Sequence, residues 1–445
     1  MTAALTADII DLLSGLGRGH DIATLRDQRA QARENAQLSF AALLEPENPG
    51  DFTLAERYAV AQFVAELHEF PDAVEFYADV LGDESPDLVG TVRALAADAA
   101  AAGPIGTYRE PGLQGESVAV EPWAPSADTA AALGPRLTAA LAHTHLLVIR
   151  PREASADALA ALVRAGWNAD DIVSLSQLVA FLAFQLRASW GLRVLAGAPG
   201  EGGVDRATGT ASTASTAAAS ADATGQAAGS DAAAGSDAAV AELITEYPEL
   251  HRPEHFTQQS LGWVPWLAPV AEAELTDEQR DALVDPLRAK MPYFRLLARD
   301  PAALRARTLT DLDIFFNTEG GIGRAERELA ATAASRHNGC VFCASVHSAA
   351  ATRESGREAT VQALLDEGVG ADLADTTWNA VVSASVSLTN TPLGFGEADV
   401  RGLRAAGLSD AEIIDVVNGA AFFNWANRLM LSLGEPEVPA KRGQS

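Results

Sequence analysis

Cys340 and Cys343 are the only cysteines in a chain of 445 residues, and they stand three apart in the segment ERELAATAASRHNGCVFCASVH, Glu326 to His347. On a helix that spacing puts both thiols on one face. A helix's first turn, with unpaired N–H groups and the positive end of its dipole, favours a thiolate there. One close pair cannot make a disulfide framework, so it points to redox or metal chemistry in a reducing compartment. His347 follows Cys343 by one turn and can relay protons. If two helices form a hairpin about Gly339, Glu328 lies beside position 350, within a turn of His347, where its carboxylate can orient the imidazole or hold a proton. Cys343, Cys340, His347 and Glu328 are therefore the candidate catalytic residues. A Cys2His metal site lacks an obvious fourth ligand, so neither metal nor cofactor is expected.

The elements that must position these groups are helical. Glu326 to Asn338 reads as a helix ended by Asn338-Gly339, and Cys340 to about Ser355 as a second, stopped by Gly356. Upstream, Thr53 to Phe70 opens with a Thr cap and Glu three residues later. Ala-rich helices follow to about Ala101, and Gly103 to Pro125 is irregular. Helices resume over Leu137–Leu147, Ser155–Ala165 and Asp170–Leu195. His143 and His145, two apart on different faces, read as ordinary histidines. From Ala198 to Ala238 the composition collapses into Gly, Ala, Ser, Thr and Asp, which cannot bury enough surface to fold, so residues 198–238 read as a disordered linker.

Beyond it, His251-Arg252-Pro253-Glu254-His255 matches the zinc-peptidase pattern H-x-x-E-H, but Pro253 sits where a helix interior is needed. The segment reads instead as a docking strap, with Trp263 and Trp266 packing on a helical body. Helices are expected over Thr276–Lys290, Pro301–Thr308 and Asp311–Asn317, and on to Leu433; Phe422, Phe423 and Trp425 read as core.

The chain also repeats itself. Glu56-Arg57-Tyr58 aligns with Glu326-Arg327-Glu328 at an offset of 270, and Leu162–Arg187 with Leu403–Arg428 at 241. The difference of 29 residues falls in the irregular stretch near Gly103–Pro125. Carried along the first offset, Glu328 lies on Tyr58, Cys340 on Phe70, Cys343 on Ala73 and His347 on Tyr77. The first copy keeps the frame and lacks every reactive group.

A formal net charge of −28 and no basic stripe exclude a nucleic-acid partner. No apolar run reaches a membrane span, and the N-terminus carries acids where a signal peptide has bases, so no membrane and a cytoplasmic location are expected.

The pattern E-x11-C-x2-C-x3-H on a helical hairpin resembles the alkylhydroperoxidase D-like, carboxymuconolactone decarboxylase-like superfamily. The resemblance covers the C-terminal part and, more weakly, the N-terminal copy. It implies an all-α fold of two tandem domains, a degenerate one over residues 1–197 and one bearing the CxxC over 239–445. It further implies a homo-oligomer that reduces organic hydroperoxides, with Cys343 as peroxidatic thiol, Cys340 as resolving thiol, and His347 and Glu328 as proton relay. The implied partner is a lipoyl- or thioredoxin-like dithiol reductant. Well-studied members carry a further His between the cysteines, where this chain has Phe342; an aromatic there is also common in the peroxidase-related branch. The alternatives are a lactone decarboxylase-like enzyme on the same fold, using His347 and Glu328, and a redox sensor or scaffold that does not turn over.

Overall fold

The computed structural model describes residues 8–17, 19–197 and 230–440. The fold is all-α, with one short two-stranded ribbon. The first half supplies α1 (Ala30–Leu44), α2 (Leu54–Leu67), α3 (Pro71–Glu84), α4 (Pro86–Asp98), α5 (Pro135–Ile149), α6 (Ala156–Arg164) and α7 (Ala169–Leu195). The second supplies α8 (Pro301–Phe316), α9 (Arg324–Asn338), α10 (Val341–Ser355), α11 (Glu358–Glu367), α12 (Thr376–Thr389), α13 (Glu397–Ala405) and α14 (Asp410–Leu433). The starts of α2 and α3 recur at α9 and α10 with the offset of 270, and those of α5, α6 and α7 at α12, α13 and α14 with the offset of 241. The glycines that end α6 and α13, Gly166 and Gly407, share a left-handed backbone with φ of 93° and 94°. The extra residues lie between α4 and α5, where the chain forms a short 3-10 turn, Pro111–Glu116.

Local sequence accounts for most helix ends. Thr53 caps α2 in a reciprocal capping box with Glu56, and Ser409 caps α14 in the same way with Glu412. Elsewhere the elements differ from the sequence-based expectation. The expected helix Thr276–Lys290 breaks, because Val284 takes a positive φ and Pro286 cannot continue a helix. The two short helices expected over 301–317 are one, α8. The part of the expected linker within residues 198–229 lies outside the described residues; from Ser230 the chain is helical to Leu243.

The compositional boundary divides the chain but not its core. A single cluster of buried apolar residues runs through both halves, and α7 lies along α14. Their seam is aromatic, with ring centroids 5.2 Å apart for Phe181 and Trp425 and 6.2 Å for Phe184 and Phe422. Equivalent buried arginines reach across it. Arg187 Nη2 donates to Thr389 O at 2.8 Å in the second half, and Arg428 Nη2 to Val148 O at 3.3 Å in the first. Among the described residues α7 alone is long and apolar enough to cross a membrane, a longer stretch than the sequence reading allows, yet 94% of that window is buried inside the protein. His143 and His145, on α5, are both buried.

The extra segment of the first half braces the dithiol segment of the second. Tyr108 and Leu113 pack with Phe256 against Val341 and Ala344 of α10. Glu116 accepts two hydrogen bonds of 2.7 Å from Arg336 of α9. Arg152 donates to His337 O at 2.7 Å. The α9–α10 turn rests on Gly339, at φ 82°, where an added Cβ would lie 2.8 Å from Arg152 Nε. Gly90, exposed on α4, has nothing within 4 Å of such a Cβ. Gly339→Ala therefore lowers the thermal unfolding midpoint, at a cost of about 1–3 kcal/mol. Gly90→Ala raises it slightly, by up to about 1 kcal/mol, because helical Gly carries excess unfolded-state entropy. Parallel melts of the two variants check the opposite signs.

Candidate active site

The hairpin α9–α10 brings together the four residues singled out in the sequence. Gly339 ends α9, its N–H bonding to Ser335 O. Cys340 then stands at the N-cap of α10, one position outside the expected first turn, and Cys343 is the third residue of the helix. No oxygen side chain caps this end, so the amide dipoles of the first turn bear on sulfur. Across the hairpin, His347 Nδ1 and Glu328 Oε2 are 2.5 Å apart. The other Glu328 oxygen accepts from Arg324 Nε at 2.5 Å.

Cys343, His347 and Glu328 line a cavity of about 540 Å³. Its walls are largely aromatic: Trp263, Tyr293, Phe294, Phe315, Phe342 and Phe423. The Phe423 ring lies 4.0 Å from the His347 ring, edge to face, and holds it in place. Cys340 is 1% exposed and does not line the cavity. The two thiols are thus unequal: one opens on a ligand space, and the other stands behind it within hydrogen-bonding reach.

Their environments push them apart. Burial and the neighbouring Cys343 sulfur raise the Cys340 pKa well above the usual thiol range. Burial also opposes the Cys343 thiolate, but the Cys340 thiol, the His347 charge, the Asn427 amide and Arg307 together outweigh it and lower the Cys343 pKa. His347 is raised: burial works against its charge, and the Glu328 carboxylate overrides burial. Glu328 is lowered; burial opposes its charge, and His347 and Arg324 hold it ionised. The three directions favour a thiolate, an imidazolium and a carboxylate in a row.

Several participants escaped the sequence reading. Asn427 of α14 donates to Ser335 Oγ at 3.0 Å and accepts from Asn338 at 3.0 Å, joining Cys343 to the turn. Asn424 and Asn427 have Ala183 and Leu186 as counterparts in the first half, so polar residues without a polar twin were the available signal. Arg324, Arg307 and Asp311 also face the cavity. Phe422 and Phe423, expected as core, are buried but line the cavity, whereas Trp425 is core alone. Trp263 and Trp266 do strap the helical body: the first lies on β1 (Gly262–Pro265), which pairs antiparallel with β2 (Gly434–Glu437), and the second follows it. His251 to His255 is not helical, and His255 packs beside Gly112. Among the described residues no group of three or more His, Cys, Asp or Glu is placed to hold a metal ion.

In the first half the counterparts are packing. Phe70, Ala73 and Tyr77 are fully buried, Phe70 edge-on to Trp190 at 5.1 Å, and the Tyr77 hydroxyl bonds to Gln185.

The lowered Cys343 pKa predicts that iodoacetamide labels Cys343 below the pH at which an ordinary thiol reacts, and Cys340 only above it. His347→Gln removes the cation facing the thiolate and shifts the Cys343 profile upward. Peptide mass spectrometry across a pH series reads both sites separately.

No curated protein and no solved structure matches the chain. The model of the carboxymuconolactone decarboxylase family matches residues 301–386, a span from the start of α8 into α12 that contains Glu328, Cys340, Cys343 and His347. That match supports placing this segment of the second half in the carboxymuconolactone decarboxylase superfamily.

Proposed function

We propose that the chain is a thiol peroxidase that reduces organic hydroperoxides through a Cys340–Cys343 dithiol–disulfide cycle. The observation that carries this is the inequality of the thiols: Cys343 opens on an apolar cavity beside a His347–Glu328 pair, while Cys340 is buried behind it. The Cys343 thiolate attacks the distal peroxide oxygen. An S–O bond forms as the O–O bond breaks, and the departing alkoxide takes the proton from His347, leaving as alcohol. Cys340 then attacks the Cys343 sulfenic acid, the S–S bond forms, and the sulfenic oxygen leaves as water with the Cys340 thiol proton. A dithiol reductant returns two electrons and two protons and is itself oxidised to a disulfide. Glu328 keeps His347 charged and oriented, which is its whole part in the cycle. Phe342, where well-studied members of the resembled family carry His, removes one proton carrier and leaves His347 as the one imidazole lining the cavity among the described residues. Residues 1–197 act as a structural half that braces the hairpin of 239–445.

The matched family's description favours a second reading, a lactone decarboxylase-like proton transfer by His347 and Glu328 that has no use for the thiols. Steady-state consumption of cumene hydroperoxide with dithiothreitol separates the two. Cys343→Ser should lose activity by at least a hundredfold. In a single turnover without reductant, Cys340→Ser should consume one equivalent of peroxide and stop as the sulfenic acid. Unchanged turnover in Cys343→Ser contradicts the peroxidase and leaves the proton-transfer reading.

A further inference from the structure

Arg307 of α8 lines the same cavity, and the cycle above gives it no bond. It is 5% exposed, and its Nε meets no hydrogen-bond partner. Among the described residues no carboxylate lies within ion-pair distance of it. Ring faces surround the guanidinium instead, with centroids at 5.1 Å for Phe422, 5.8 Å for Tyr293 and 5.9 Å for Trp425. Rings attract a cation, but they do not replace the acceptors that water gives up.

A second donor waits in the same place. The Tyr293 hydroxyl is buried, lacks a partner and belongs to the cavity wall, and burial keeps it in the protonated, donating form. The charge of the lining points the same way. In a chain with 60 acidic and 32 basic residues, Lys290, Arg307, Arg324 and Arg353 line the cavity against Asp311 and Glu328. Arg324 and Glu328 are already paired, and Lys290 and Arg353 stand at the exposed rim. Asp311, one turn beyond Arg307, is pushed towards its neutral form by burial, against the pull of Arg307 and His347.

We infer that the cavity takes a ligand with an aromatic or otherwise apolar body and a single carboxylate head, the head bonded to Arg307 and the Tyr293 hydroxyl. One unpaired guanidinium and one neutral phenol balance one negative charge, and the guanidinium fork suits a planar carboxylate. Resting on the peroxidase reading, the substrate is the hydroperoxide of an apolar carboxylic acid, with its body along the aromatic wall and its O–O bond at Cys343.

Calorimetric titration of the reduced protein with 4-phenylbutyrate and its neutral amide tests the site without any turnover. The acid should bind at least tenfold more tightly than the amide. Arg307→Met should abolish that preference, and Arg307→Lys should keep part of it. Asp311→Asn removes the competing carboxyl and should strengthen the acid alone. Equal affinity of acid and amide for the unaltered protein overturns the inference, as does a preference that persists in Arg307→Met. Because neither probe can be reduced, an acid preference in a protein without peroxide turnover upholds the carboxylate site and rejects the peroxidase.

Discussion

The hydrogen bond between Glu328 and His347 is the constraint on which the candidate site depends. The Glu328 side chain is 1% exposed, and a carboxylate so buried must be paired or give up its charge. Arg324 and His347 each meet one of its oxygens, so both are satisfied in place. Breaking such a buried pair by removing one partner costs about 3–5 kcal/mol. That cost holds the imidazole to α9, one turn along α10 from Cys343. The bond also ties α9 to α10 at a distance from their turn, so Gly339 and the Glu328–His347 pair fix the hairpin at two points. The Asn338–Asn427 hydrogen bond adds a third, from α14.

The same frame occurs twice, and comparing the halves shows what chemistry demands of it. In the first half the counterpart positions hold Tyr58, Phe70, Ala73 and Tyr77; Tyr58 is partly buried, and the interior closes around the other three. In the second half two thiols, an imidazole and a carboxylate occupy those places, and a cavity opens. Polar groups in a core need partners, and here they come from Arg324 at the start of α9, from Asn427 of α14 and from the brace of the first half. The shared aromatic seam of α7 and α14 makes that brace possible, because it holds the first half against the back of the dithiol helix.

Much of this was legible in the sequence, for physical reasons that also mark where legibility stopped. Gly339 and Gly356 punctuate the hairpin at the two helix ends, since both take the left-handed backbone that glycine adopts freely. Helix periodicity and the hairpin then sufficed to pair Glu328 with His347. Thr53 and Glu56 announced α2 through local hydrogen bonds. Arg307 and Asp311 were not legible, because they come to the cavity from α8, outside the dithiol segment, and no local pattern marks a charge left unpaired by tertiary packing. The β1–β2 ribbon joins residues 262–265 to 434–437, a pairing that local sequence does not encode.

The central claim is that Cys343 meets the peroxide in the cavity and Cys340 closes on it from behind. Intact and peptide mass spectrometry of the reduced protein after one equivalent of cumene hydroperoxide tests this most directly. The account predicts loss of two hydrogens, a single Cys340–Cys343 crosslinked peptide, and release of cumyl alcohol in equal amount. Two free thiols with the peroxide unspent, or a sulfenic acid trapped on Cys340 instead of Cys343, would contradict it.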